Sequence, residues 1–226
     1  MVNIDVRPQK IEWGSVHTGF NQTVDSIWTD LENMIEETHI ENPTIWLTGH
    51  SLGGAMALIT AVKLTISKIG IPAGIITFGQ PAVGDPIFCV AFEQNLGSRM
   101  FRVVNCSDEV PNQPPGYVHT GRLMYFEHRG RLHDQPKQLF MWADKMSQET
   151  RGPIEEHSMV QYLRLVESIV VYGAGSIEVL EQGLWEAEIA SGCAFEIAPG
   201  SDAWVIGDQL CIAIDFIPIS DNSKSR

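Results

Sequence analysis

Between Thr44 and Ala55 the chain reads TIWLTGHSLGGA, an apolar run that ends abruptly in Gly49-His50-Ser51-Leu52-Gly53. A serine set between two glycines, with a strand before it and a helix after it, fits a tight turn that holds the hydroxyl out toward a substrate. The glycines tolerate the strained backbone and keep Cβ atoms away from neighbouring elements. The start of the following helix aims free N–H groups, Leu52's among them, at the place where a carbonyl oxygen would become negative.

A serine hydroxyl needs a histidine to take its proton, and the histidine needs a carboxylate to fix its tautomer. With the serine on such a turn, the acid and then the histidine follow it in the chain. Asp108 lies just past the strand-like FRVVN and is the expected acid. Its neighbour Glu109 is expected to face solvent or cap the loop. Asp85 reads as a helix-starting residue, and Asp134 and Asp144 as helix-surface charges. Seven histidines compete for the role of base. His50 flanks the serine too closely to act on it, and is held as a pocket-lining candidate. His39, His128 and His133 read as exposed, and His17 precedes the first helix. His119 and His157 remain, and chain order favours His157, at the mouth of a late helix.

The elements that must position these groups alternate. Apolar residues spaced by three and four from Phe20 to Ile35 predict an amphipathic helix. Thr44 to Leu47 is a short buried strand, and Ser51 to about Ile69 is an Ala-rich helix ended by Gly70. Strands are predicted at Gly74 to Phe78, Met100 to Val104 and Arg122 to Phe126. Helices are predicted at Asp85 to Leu96, Gln138 to Met146 and Ser158 to Val171. This is an α/β pattern, a mostly parallel sheet with helices on both faces. After the GAG at 173–175 the pattern changes. Trp185, Ala187 and Ile189 alternate with Glu186 and Glu188, and CAFEIAPG, AWVIGD and LCIAIDFIP continue as short runs. Residues 173–220 are therefore expected to form a small antiparallel, β-rich module, 221–226 a disordered tail, and 1–172 the main domain.

The chain of 226 residues is long enough for one substantial core. Its net charge of −13 argues against nucleic acid and against electrostatic docking on anionic lipid. Nine acidic residues against Lys224 and Arg226 put −7 of that charge beyond Gly173. The four cysteines show no metal-ligand spacing and read as reduced, mostly buried thiols, with a Cys193–Cys211 disulfide left open. No stretch reaches the ~20 apolar residues of a membrane span, and no cofactor or metal is expected. The chain opens MVNIDVRPQ, without a signal peptide, and no compartment is assigned.

Five blocks, in order, carry a resemblance: VHTGF at Val16, the GHSLGGA block, TFGQPAVGDPIF at Thr77, FRVVNCSDEVPNQPP at Phe101 and EEHSMVQYL at Glu155. Together the chain resembles the class 3 lipases, the family of the fungal triacylglycerol lipases among the α/β-hydrolases. The resemblance implies Ser51 as nucleophile, Asp108 as orienting acid and His157 as base. It sets His119, in YVHTG, near the substrate-binding region. Ala82 and Glu156 stand where relatives commonly carry arginine and aspartate. Relatives also have a longer segment before VHxGF, with a stretch that supplies a second oxyanion donor. On that comparison the amino end is expected to be truncated.

The implied function is a serine carboxylic-ester hydrolase acting on acylglycerols through an acyl-enzyme, with transient contact at a lipid surface and no transmembrane anchor. A catalytically weak lipid- or acyl-binding protein, a phospholipase A1 and a feruloyl esterase stay open beside it.

Overall fold

A computed structural model describes residues 7–40, 43–147, 153–172, 195–197, 201–204 and 211–216. A short hairpin of β1 (Pro8–Ile11) and β2 (Gly14–His17) leads into α1 (Thr18–Glu37). The main sheet then begins with β3 (Thr44–His50), which runs straight into the turn at Ser51 and α2 (Leu52–Ile66). Next come β4 (Gly74–Phe78), α3 (Pro86–Asn95), β5 (Met100–Asn105), β6 (Arg122–Phe126) and β7 (Leu132–Asp134). The chain continues through α4 (Gln138–Met146), α5 (Pro153–Glu156) and α6 (Met159–Tyr172) to β8 (Phe195–Ile197), β9 (Ser201–Trp204) and β10 (Cys211–Phe216).

The sheet has eight strands in the order β7-β6-β5-β4-β3-β10-β9-β8. Its centre, β6 through β10, is parallel, and β7, β9 and β8 join antiparallel at the two sides. Alternation along the strands sends side chains to two layers. Ile45, Leu47, Ile75 and Met100 pack with α1, α2 and α3, through Phe20, Val24, Leu58, Phe88 and Phe92. Val103, Met124 and Phe126 pack with Tyr162 and Val166 of α6 on the opposite face. Helices therefore cover both faces, and the apolar period of each element accounts for its place.

The boundary read at 173 is not a boundary of the sheet. β10 inserts beside β3 in parallel register, Cys211 opposite Thr44 and Phe216 opposite Gly49. Ile212, Ala213, Ile214 and Phe216 are all buried, so both faces of this strand are covered. A strand buried on both sides carries apolar residues in succession, which in a short run is hard to tell from a half-buried hairpin strand. The run 185–189, Cys193 and the 221–226 tail lie outside the described residues. Cys89 and Cys106 are buried thiols, in no disulfide among the described residues.

Candidate active site

The site is assembled at the carboxyl ends of β3, β4 and β5. Ser51 sits between strand and helix with φ 57° and ψ −122°, a conformation costly for any residue with a Cβ. The surroundings hold it there. The Ser51 N–H donates to the Phe78 carbonyl at the end of β4 (2.9 Å). A side chain at Gly49 would run into the backbone of Gly53, and one at Gly53 would overlap the carbonyl of Phe216 at the end of β10. The glycine spacing of the pentapeptide is thus imposed by close approach of three backbones.

His157, in the short turn between α5 and α6, shares a hydrogen bond with Ser51, Nε2 to Oγ, at 2.8 Å. Its Nδ1 donates to Asp108 Oδ2, also at 2.8 Å. Asp108 follows β5 with a fully buried side chain, and its other oxygen accepts the Val110 N–H at 2.9 Å. Because the carboxylate accepts a hydrogen bond from Nδ1–H, the proton stays on Nδ1 and Nε2 is left as the acceptor for the serine hydroxyl. Serine, histidine and aspartate form one hydrogen-bonded chain. Leu52 opens α2, and the N–H groups of that first turn have no intrahelical acceptor.

Three residues not singled out in the sequence complete the surroundings. Tyr162 of α6, fully buried, donates its hydroxyl to Asp108 Oδ2 at 2.7 Å, while its oxygen accepts the Asn105 N–H at 3.1 Å. Burial, together with the neighbouring Asp108, pushes the phenol well above its ordinary range, so it stays a donor. Asn105, at the end of β5, donates its amide to both the carbonyl (3.0 Å) and the carboxylate (2.8 Å) of Glu156, directly before the histidine. Gly79 has φ +57°, and a side chain there would press on Asp108 and the His157 ring. None of these had a motif of its own. In the sequence Gly79 stands out only as part of the block TFGQPAVGDPIF.

The other candidates lie elsewhere. His50 points to the α6 face, its ring 4.6 Å from that of His157 and 5.8 Å from Tyr162. Its Nε2–H donates to the His157 carbonyl at 2.6 Å. It therefore packs against the His157 ring and is joined to that residue's backbone. His119 is largely buried, donating from Nε2 to the Pro111 carbonyl at 2.6 Å. Burial, then the nearby Arg102 charge, pulls its pKa down to about 4. Among the described residues it makes no hydrogen bond to Ser51, Asp108 or His157.

Glu109 is paired with Lys145 and Asn112 at the loop surface, and Asp85 caps α3 by accepting the Phe88 N–H (2.7 Å). Two acids differ from their reading as helix-surface charges. Asp134 lies in β7, paired with Arg122 across the sheet edge. Asp144 is on α4 but buried, bound to Tyr125 and His128. No group of His, Cys, Asp and Glu among the described residues could hold a metal ion. No helix among them is long and apolar enough to cross a membrane.

Residues 3–118 match the family model described as "Lipase (class 3)". A secreted mono- and diacylglycerol lipase of Fusarium solani is 37% identical over 110 residues, 46% of this chain and 32% of that protein. A chloroplastic phospholipase A1 of Arabidopsis thaliana is 36% identical over 108 residues, 43% of this chain and 20% of that one. Among solved structures, the native Rhizomucor miehei lipase–propeptide complex superposes with a TM-score of 0.50 at 28% identity. That superposition covers 58% of this chain and 46% of the other. The chain spans about a third or less of the length of these curated relatives.

Proposed function

The chain belongs to the class 3 lipases, and from that premise we propose that it is a serine carboxylic-ester hydrolase acting on acylglycerols. Ser51 attacks the ester carbonyl while His157 Nε2 takes the hydroxyl proton. The tetrahedral oxyanion draws on the Leu52 N–H at the start of α2, and Asp108 stabilises the imidazolium through Nδ1. Collapse of the intermediate expels the alcohol, which leaves with the proton from His157, and the acyl group stays on Ser51. Water then attacks the acyl-enzyme with His157 again as base, releasing the fatty acid and restoring the serine.

The observation that carries this reading is the continuous Ser51–His157–Asp108 hydrogen-bonded chain on a strained strand-to-helix turn. The acylglycerol substrate class comes from the mono- and diacylglycerol lipase among the relatives. The phospholipase A1 relative keeps a phospholipid substrate as the second reading.

The test is hydrolysis of p-nitrophenyl butyrate by the 226-residue chain and its Ser51→Ala variant, followed by monoacylglycerol and phosphatidylcholine as rival substrates. Loss of turnover in the variant, with release of fatty acid from the monoacylglycerol, is the expected result. Unchanged turnover in Ser51→Ala contradicts the mechanism, and preference for phosphatidylcholine reassigns the substrate.

A further inference from the structure

The site contains a contact that the proton-transfer mechanism does not use. His157 lies outside regular secondary structure, after α5 ends at Glu156 and before α6 begins at Met159. A base on such a turn must be held by something other than a helix ladder. The structure provides side-chain tethers on both residues of the turn's entry. Asn105 grips the carbonyl and carboxylate of Glu156, and His50 grips the carbonyl of His157.

We propose that His50 is a positioning residue, whose Nε2–H bond to the His157 carbonyl fixes the base in register with the nucleophile. The inference rests on the hydrolase reading of the site. His50 is the last residue of β3, and Ser51 is joined to it by one peptide bond. The base is therefore tied to the same strand end twice, by its side chain to Ser51 Oγ at 2.8 Å and by its backbone to His50 Nε2 at 2.6 Å. The two bonds and the intervening covalent links close a small ring. When the proton moves and Ser51 Oγ bonds to substrate carbon, the first bond changes character. The second remains, and it keeps Nε2 aimed at the oxygen to which it must later return a proton.

The tautomer follows from the partner, since a carbonyl oxygen only accepts, so Nε2 of His50 carries the hydrogen. Burial lowers the pKa of this ring, against the raising effects of its His157 carbonyl contact and Asp108. His157, Asp108 and Tyr162 are the titratable groups that face it. The bond donated to His157 needs only the neutral ring.

A purely packing role and a positioning role make opposite predictions for two variants. His50→Phe keeps a ring against His157 and Tyr162 but removes the donor. His50→Gln removes the ring but places an amide N–H near the position of Nε2. Positioning predicts that His50→Phe loses kcat on the order of 10²-fold, with KM for p-nitrophenyl butyrate unchanged, while His50→Gln stays within a few-fold of wild type. Wild-type kcat in His50→Phe overturns the proposal, as does an equal loss in both variants. A measurement without variants guards against poor folding: nitrogen-15 correlation spectra of the wild-type chain should show His50 protonated on Nε2, and an Nδ1–H tautomer overturns the proposal. A wild-type chain that neither hydrolyses the ester nor reacts with a fluorophosphonate overturns the hydrolase reading itself. Activity in the wild type with failure of the His50 contrast overturns the positioning role alone.

Discussion

Among the described residues, two histidine–aspartate–tyrosine clusters share a pattern of contacts. In one, Asp108 accepts from His157 Nδ1 and from the Tyr162 hydroxyl. In the other, Asp144 is bound to His128 Nδ1 and accepts from the Tyr125 hydroxyl at 3.0 Å. Both aspartates are buried. The difference lies in what stands beyond the histidine. His157 Nε2 meets a serine on a strained turn, at the carboxyl ends of parallel strands and beside a helix start. His128 has no hydroxyl on Nε2 among the described residues, and its aspartate pins α4 onto the β6–β7 hairpin. A buried carboxylate that orients a histidine is thus no signature of chemistry by itself. On the proposed mechanism, placement against a nucleophile and an oxyanion donor is what separates a reactive cluster from a structural clasp.

The contrast can be broken most severely at the serine. Ser51→Ala should lower kcat on the order of 10⁵–10⁶-fold with folding intact, read from ester hydrolysis and thermal melting. Asp108→Asn should cost about 10⁴-fold, because the amide can present a donor to Nδ1 and favour the wrong tautomer. The two tyrosines give the sharpest pairing. Tyr162→Phe removes a hydrogen bond to the carboxylate that holds the base and should lower kcat about tenfold, with KM little changed. Tyr125→Phe removes the equivalent bond in the second cluster. It should leave kcat within about twofold while costing ~1–3 kcal/mol of stability, measured by urea unfolding. An activity loss in Tyr125→Phe as large as that in Tyr162→Phe would erase the distinction.

How far these clusters were legible in the sequence depends on how local their signals are. Gly49, Ser51 and Gly53 are readable because turn, strand end and helix start lie within one short window. Asp108 is readable as a carboxylate just past a strand, and His157 as the late histidine at a helix mouth. Tyr162, Asn105 and Glu156 meet only when α6 folds over the end of β5, and nothing in their spacing announces it. Asp144 sits on an amphipathic helix like any surface charge, and its burial depends on a tyrosine and a histidine from the neighbouring hairpin. β10 was the largest difference. Its partner β3 lies far away in sequence, and Gly53 against the Phe216 carbonyl records a contact that no local period contains.

The smallest effect expected concerns His119, held from the sequence as a pocket residue and found half-buried, bonded to the Pro111 carbonyl. Burial pulls its folded-state pKa down to about 4, below the ordinary histidine value of about 6.5. The unfolded chain therefore binds this proton first as pH falls. The stabilisation is complete above about pH 6.5 and is lost as pH falls toward 4, by at most about 3 kcal/mol. His119→Gln, which can still donate to the Pro111 carbonyl, should flatten the dependence of melting temperature on pH across that window. Ester hydrolysis at neutral pH should change little. An unchanged slope would assign the acid sensitivity to other groups.

The central claim is that one of the two clusters arms a serine and the other does not. Treating the 226-residue chain with a fluorophosphonate and mapping the adduct by peptide mass spectrometry tests it most directly. The account predicts a single phosphonyl group on Ser51, absent in Ser51→Ala and strongly slowed in Asp108→Asn. It also predicts labelling at the wild-type rate in Tyr125→Phe. A wild-type chain that takes no label, or takes it on a residue other than Ser51, would contradict the account.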